Sequence, residues 1–172
     1  MKRNMDQWTN DLLAAETKKA VPVLSFPSIQ LLGITVKDLI SDSDLQARGM
    51  KAVADRTDAG AAVSLMDLSL EAECFGAPIR VSDDEVPTVT GPVISTEVEE
   101  DERMAQAEAL AVPEIGAGRT QIYIDAIEKV MGMIEDRPVL AGVIGPFSLA
   151  GRLLDVTQSL IYCYEEPDMV HV

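Results

Sequence analysis

The chain has 172 residues, 47% of them hydrophobic and 25% charged, which is enough for one domain with its own core. Its net charge of −15 argues against a nucleic-acid partner, because binding to phosphates needs a basic surface. Cys74 and Cys163 stand in no disulfide or zinc spacing, and no apolar stretch suits a signal peptide or a membrane span. We therefore expect a cytoplasmic protein with a single domain over residues 1–172, without a membrane partner.

The first half of the chain alternates helical and extended patterns. Apolar spacing predicts a helix from about Asp6 to Lys19, and Val21–Phe26 predicts a first strand. A helix from Leu45 to about Thr57 follows, with N-cap candidates at Ser41–Asp44, and Ala61–Met66 predicts a second strand. This alternation of strands and amphipathic helices is typical of a parallel sheet or barrel.

The middle of the chain is less regular. Leu70–Gly76 predicts a short helix that ends at glycine. Pro78–Val81 and Thr88–Gly91 predict the two arms of a small hairpin at the edge of the main fold. Two longer helices follow, an acidic one over Glu97–Leu110 and another over Arg119–Glu135.

A third strand is predicted over Val139–Ile144, which has no polar residue and suits a strand covered on both faces. Gly145-Pro146 ends it, one helix is predicted over Ser148–Tyr164, and a last helix begins at Pro167. The inward residues expected on the longer helix are Leu149, Leu153, Val156, Leu160 and Ile161. The pattern thus provides about three core strands, fewer than the eight of a closed (β/α)₈ barrel.

Three blocks of sequence resemble the uroporphyrinogen decarboxylase superfamily. They are AECFGAPIR (72–80), DDEVPTV (83–89) and RPVLAGVIGPFSL (137–149), of which the third is the most specific. Within the superfamily they are most similar to the corrinoid-dependent methyltransferases, which include the methylcobamide:coenzyme M methyltransferases. The resemblance implies a TIM barrel of the (β/α)₈ type about twice as long as this chain, which would supply the N-terminal half.

Two departures separate this chain from the decarboxylases that it resembles. Those enzymes carry an arginine-rich motif after the first strand, for the carboxylates of the substrate, where this chain has FPSIQLLG (26–33). They also place a tyrosine in the helix after the third strand, where this chain has Gly151-Arg152. The resemblance therefore implies methyl transfer between a corrinoid and a thiol such as coenzyme M, and a decarboxylase acting on a tetrapyrrole is a further alternative.

The methyltransferase branch uses zinc to keep the thiol deprotonated, and its ligands are a His-x-Cys pair and a distant Cys in the C-terminal half. Cys74, Cys163 and His171 do not match that pattern. We predict no metal ligand, no catalytic residue and no bound cofactor for this chain alone, which we expect to be inactive by itself. Zinc and a corrinoid are implied only for the full-length protein.

The partners that the resemblance implies are a corrinoid protein and a C-terminal half or partner subunit. A different class of function is also open, in which the chain is a binding or assembly module. An incomplete sheet leaves an unpaired strand edge and apolar faces that must be covered. A half-barrel would then be completed by self-dimerisation or by a partner chain.

Candidate pocket residues stand where the predicted strands end. Asp67 follows the second strand and matches an aspartate that the superfamily carries there. It is a candidate for substrate binding, and the alternative is that it caps the following turn. Ser25 and Phe26 end the first strand and are expected either to line the pocket or to pack at the edge of the core.

The corner after the third strand supplies the other candidates, Gly145, Phe147 and Ser148. A helix that begins there would point its free N–H groups at an anion such as a sulfonate or a carboxylate. The alternatives are that Ser148 only caps the helix and that Phe147 only packs. We predict that this corner is one rim of a substrate pocket.

Overall fold

The computed structural model describes residues 3–171, whose packing forms two compact units. The first unit comprises the residues up to Met66 together with Ile122–Gly142. The second comprises Asp67–Gln121 together with the residues from Val143 on. The assignment of residues 1–172 to a single domain stays a prediction.

The elements follow one another as a mixture of helices and short strands. In chain order they are α1 (Met5–Ala14), α2 (Ser28–Leu32), α3 (Val36–Ser41), α4 (Ser43–Arg56), β1 (Ala62–Val63), α5 (Leu70–Cys74), β2 (Ile79–Arg80), β3 (Thr88–Val89), α6 (Glu100–Glu108), α7 (Thr120–Met131), β4 (Val139–Leu140), α8 (Pro146–Leu153), α9 (Val156–Glu165) and α10 (Pro167–His171). None of the helices in residues 3–171 is long and apolar enough to cross a membrane.

Helix α4 forms the core of the first unit with β1 and α7. Asp42, one of the predicted cap candidates, starts the helix, since its Oδ1 accepts hydrogen bonds from the N–H groups of Asp44 (2.7 Å) and Leu45 (2.9 Å). The buried cluster below it consists of Ala47, Met50, Ala54, Ala62, Val130 and Ile134. The helix predicted for this part of the chain is therefore confirmed.

The sheet of the first unit contains β1 and β4, which pair in parallel with Ala62 opposite Val139. The strand predicted over residues 21–26 is wrong, because this segment forms no ladder. Pro22 has no N–H to donate, and the hydroxyl of Ser25 donates to the carbonyl oxygen of Ser64 at 2.6 Å. A side chain therefore occupies the acceptor that a neighbouring strand would need.

Strand β4 is shorter and more exposed than the sequence predicts. It ends at Leu140, and the side chain of Val143 is 82% exposed. The N–H of Gly142 donates to the side-chain Oγ of Ser64 (2.8 Å) instead of a strand carbonyl, so the ladder stops there. Within residues 3–171 no strand other than β1 pairs with β4. The prediction of a strand covered on both faces is therefore wrong for this stretch.

The second unit confirms the predicted hairpin and corrects one predicted helix. Strands β2 and β3 pair antiparallel, with Ile79 opposite Val89. The single helix predicted over Ser148–Tyr164 is instead divided into α8 and α9. Asp155 starts α9, because its Oδ1 accepts from the N–H groups of Thr157 (2.8 Å) and Gln158 (3.0 Å).

This break changes which face of α9 is buried. Ser159 and Tyr162 are buried, whereas Val156, Leu160 and Ile161, expected from the sequence to face inward, are exposed. A period of 3.6 residues does not continue across a break in the helix, so apolar spacing counted from α8 does not identify the buried face of α9.

Candidate functional site

Asp67 is the first residue of the second unit, and its side chain is completely buried. Its Oδ1 accepts hydrogen bonds from the backbone N–H of Ser69 (2.9 Å) and from the Ser69 hydroxyl (2.6 Å). An aspartate that bonds to the backbone two residues further on forms an Asx turn. This oxygen thus makes the turn-capping contact that is the alternative to substrate binding.

Arg119 connects Asp67 to Glu73. Its Nη1 donates to Oδ2 of Asp67 at 2.8 Å, and its Nε donates to Oε2 of Glu73 at 2.6 Å. The guanidinium therefore lies between two carboxylates in a charge-assisted network that fixes the orientation of both. Within the second unit, this network joins the loop that ends at Arg119 to α5 and to the turn before α5.

Arg119 is not among the residues that the sequence pattern predicts for the site. Arg119 and Asp67 are 52 positions apart, so no periodic pattern relates them. The available signal was a single arginine at the end of a loop that contains Gly116 and Gly118, both with positive φ. The backbone conformation of such a loop determines where its last side chain lies, and the pattern of hydrophobic residues contains no information about that conformation.

The candidate rim begins with Gly145, which is the N-cap residue of α8 and is followed by Pro146 at the first helical position. No side chain of the described residues caps this helix end, and its first turn contains no acidic residue. Phe147 is 47% exposed and Ser148 is also exposed. Ser148 therefore makes no capping hydrogen bond, and about half of the Phe147 side chain is left uncovered.

Glu71, on α5, holds the rim in place. Its Oε1 accepts a hydrogen bond from the N–H of Ile144 at 3.1 Å, directly before Gly145. Because Glu73 of the same helix contacts Arg119, α5 links the rim to the Asp67 network. Glu71 is not predicted from the sequence either, since an acidic residue on a short helix is ordinarily a solvated surface residue.

Ser25 and Phe26 lie in the first unit, whereas the other four candidates lie in the second. Ser25 is buried, donates to Ser64 and accepts a hydrogen bond from the hydroxyl of Ser28 at 2.5 Å. Phe26 is half-buried against the cluster of Val36, Leu39, Ile40 and Leu65. Both positions correspond to the core-edge alternative.

The thiol-bearing and imidazole side chains do not assemble a metal site. Cys74 is half-buried, with Sγ 3.3 Å from the carbonyl oxygen of Ala117, and burial, followed by the charges of Glu73 and Glu71, raises its pKa. Cys163 and His171 are exposed. In the described part of the chain, no three His, Cys, Asp or Glu side chains converge on one point. These donors do not fit the zinc that the resemblance implies.

Comparisons with known proteins agree with this architecture. The model of the family described as uroporphyrinogen decarboxylase (URO-D) matches residues 17–172. No curated protein matches the chain. A solved structure of a methyltransferase from Methanosarcina mazei matches with a TM-score of 0.76 and 18% identity, over 98% of this chain and 50% of that one. The chain thus spans half the length of a protein with which it shares its fold.

Both matches support the predicted fold type, the TIM barrel. The strands in residues 3–171 form two separate two-stranded sheets, one parallel and one antiparallel, and no closed barrel. This corrects the prediction of about three barrel strands to the single pair β1 and β4, while the hairpin excursion is confirmed.

Proposed function

Because this chain belongs to the uroporphyrinogen decarboxylase (URO-D) family, we propose that it forms one side of the pocket of a methyltransferase. The reaction we propose is transfer of a methyl group between a corrinoid and a thiol such as coenzyme M. The methyltransferase with the same fold has twice the matched length, so the activity of the whole protein is part of this proposal.

The corner after residues 21–26 is the feature that favours methyl transfer over decarboxylation in our proposal. Residues 26–33 contain no arginine, and the structure places α2 there. Ser28 is buried, Gln30 and Leu31 are exposed, and none of these side chains is cationic. A tetrapyrrole with several carboxylates needs guanidinium partners, which form bidentate pairs with them. This corner is better suited to a substrate without such groups.

The rim supports an acceptor that carries an acid group. The first turn of α8 has N–H groups at Phe147 and Ser148, and no side chain of the described residues caps them. Free N–H groups at a helix start attract a sulfonate or a carboxylate. The contact of Glu71 with Ile144 fixes the loop that leads into this helix. We propose that the acceptor thiol binds with its acid group at this rim.

Zinc and the corrinoid belong to our proposal for the whole protein and not to this chain. The donors present here do not fit zinc, so no step of the reaction is assigned to Cys74, Cys163 or His171. A thiol whose pKa is raised, as that of Cys74 is, stays protonated and is a poor nucleophile at neutral pH. We therefore propose that the isolated chain does not transfer methyl groups.

Two measurements on the 172-residue chain test this proposal. The first titrates it with methylcobalamin and, separately, with uroporphyrin, and follows absorbance or fluorescence. We expect methylcobalamin to bind more tightly, and tighter binding of uroporphyrin would refute the choice of methyl transfer. The second follows methylcobalamin consumption with coenzyme M and Zn²⁺. We expect the rate of a protein-free control, and a faster, zinc-dependent rate would contradict the inactivity of the isolated chain.

A second candidate function, an assembly module, is favoured by the surface of α9. Val156, Leu160 and Tyr164 recur every fourth residue along this helix and are 51%, 58% and 90% exposed. An apolar stripe of this kind is typical of a surface that another protein covers. A second copy of the chain would bring two such stripes together. Size-exclusion chromatography with light scattering tests this, and a monomer at high micromolar concentration would count against it.

A further inference from the structure

The second unit contains a cleft of about 830 Å³ that is separate from the Asp67 network and from the rim. One wall is residues 89–97, which follow the hairpin, and the other is residues 151–158, at the junction of α8 and α9. Its volume lies in the range that is typical of sites for small molecules. Nothing in the proposed methyl transfer uses this cleft.

Arg152 is the cation of the lining. It is half-buried, and among residues 3–171 it has no hydrogen-bond or ion-pair partner. Arg103 and Arg137, by contrast, each pair with a carboxylate. A guanidinium that has lost part of its hydration without gaining a carboxylate is well placed to bind a carboxylate or sulfonate of a ligand.

Two acidic residues, Glu97 and Asp155, line the same cleft. The Oδ1 of Asp155 is engaged in capping α9, as described above, whereas the carboxylate of Glu97 is exposed and has no partner in the described part of the chain. Two carboxylates and one guanidinium give the lining a net negative charge. This charge disfavours a dianion such as inorganic phosphate and favours a ligand that also carries a positive group.

The lining thus has a cationic group, Arg152, and an anionic group, Glu97, and its neutral residues add further contacts. The Oγ of Ser95 accepts from the N–H of Glu97 (3.3 Å), which leaves its hydroxyl proton available for an oxyanion. Thr96 and Gln158 add further polar groups, and Val93 and Val156 provide apolar surface for a short hydrocarbon link. The cleft therefore offers donors, acceptors and an apolar wall to one small molecule.

We propose that this cleft binds a small zwitterion, an amino carboxylate or amino sulfonate, with its acid group on Arg152 and its ammonium group towards Glu97. A simple organic acid satisfies Arg152 but adds negative charge beside Glu97 and Asp155. A simple amine satisfies the carboxylates but leaves Arg152 without a counterion. A zwitterion meets both requirements, and this inference is independent of the proposed methyl transfer.

The probes β-alanine and taurine test this inference, with propionate and propylamine as analogues that carry one charge each. An NMR titration followed in ¹H–¹⁵N correlation spectra of the 172-residue chain reports the affinity of each probe and the residues that it contacts. We expect shifts confined to residues 89–97 and 151–158, with single-charge analogues at least about tenfold weaker, or 1.4 kcal/mol. No shifts with either zwitterion would overturn the inference, and so would equal affinity for propionate or propylamine.

Matched variants test whether Arg152 binds the acid group and Glu97 the ammonium group of the zwitterion. Arg152→Gln and Glu97→Gln are each expected to weaken zwitterion binding at least about tenfold. The controls are Arg48→Gln in α4 and Glu102→Gln in α6, both exposed and both outside the cleft. Circular dichroism and thermal melting show whether each variant is folded. Unchanged binding in Arg152→Gln, or an equal loss in Arg48→Gln, would overturn the assignment of the acid group to Arg152.

Discussion

Arg103 and Glu166 form a bidentate ion pair in the second unit. Nε of Arg103 donates to Oε2 of Glu166 at 3.1 Å, and Nη2 donates to Oε1 at 2.8 Å. The two side chains are only 7% and 15% exposed. Nη1 donates to the carbonyl of Val98 (2.7 Å), and the guanidinium lies 4.5 Å from the ring centroid of Tyr162. The Arg103 side chain thus connects α6 to the end of α9.

Replacing Arg103 with alanine is expected to destabilise the chain strongly. The change leaves the carboxylate of Glu166 largely buried without its partner, and loss of one member of a buried pair costs about 3–5 kcal/mol. Urea denaturation followed by circular dichroism measures the change in the free energy of unfolding. Arg48→Ala is the control, because Arg48 is exposed. A loss no larger than that of the control would show that the pair contributes little.

The capping box of α3 predicts a dependence of stability on pH. Asp38 accepts hydrogen bonds from the N–H (3.0 Å) and the hydroxyl (2.8 Å) of Thr35, and these bonds lower its pKa. A lowered pKa in the folded state adds stability that is present above the unfolded pKa. That stability is lost as the pH falls through the folded pKa.

Asp38→Asn is therefore expected to be less stable than the original chain at pH 7, and the difference is expected to shrink as the pH falls below about 4. Urea denaturation at a series of pH values measures it. Thr35→Ser retains the hydroxyl and is expected to keep the original pH dependence. A difference that stays constant from pH 7 to the acid limit would argue that the Asp38 charge plays no part.

The contact between Glu71 and Ile144 predicts how firmly the rim is held. Glu71→Ala removes the acceptor of the Ile144 N–H, so we expect hydrogen exchange at that amide to become at least about tenfold faster. Glu71→Gln keeps an oxygen acceptor and is expected to have a smaller effect. Exchange is followed by NMR at single residues. Unchanged protection of Ile144 in Glu71→Ala would mean that the loop is held by other contacts.

The sequence predicted the parts of this fold that depend on local signals. The start of α4 at Asp42 and the hairpin of β2 and β3 follow from caps and turns a few residues long. The strand at residues 21–26 failed because the hydroxyl of Ser25 takes the carbonyl of Ser64, a contact that no periodicity announces. The break at Asp155 had a local signal, an N-cap residue, which the continuous apolar spacing concealed.

The candidate site was predictable only in part, because its anchors come from distant positions. Asp67 and the rim are candidates because of their places after predicted strands. Arg119 is not, since the fold brings it to Asp67 across 52 positions. The resemblance to the uroporphyrinogen decarboxylase superfamily is confirmed. It predicted a TIM barrel, whereas three apolar strands alone are compatible with either a parallel sheet or a barrel.

The two cysteines are expected to differ in reactivity. Burial raises the pKa of the Cys74 thiol, and its Sγ lies 3.3 Å from the carbonyl oxygen of Ala117, so little thiolate forms near neutral pH. Cys163 is exposed on α9. Iodoacetamide at pH 8, with the modified peptides quantified by mass spectrometry, is expected to alkylate Cys163 first. The variant Cys163→Ser isolates the slow reaction of Cys74, and equal rates at the two positions would contradict the burial of this thiol.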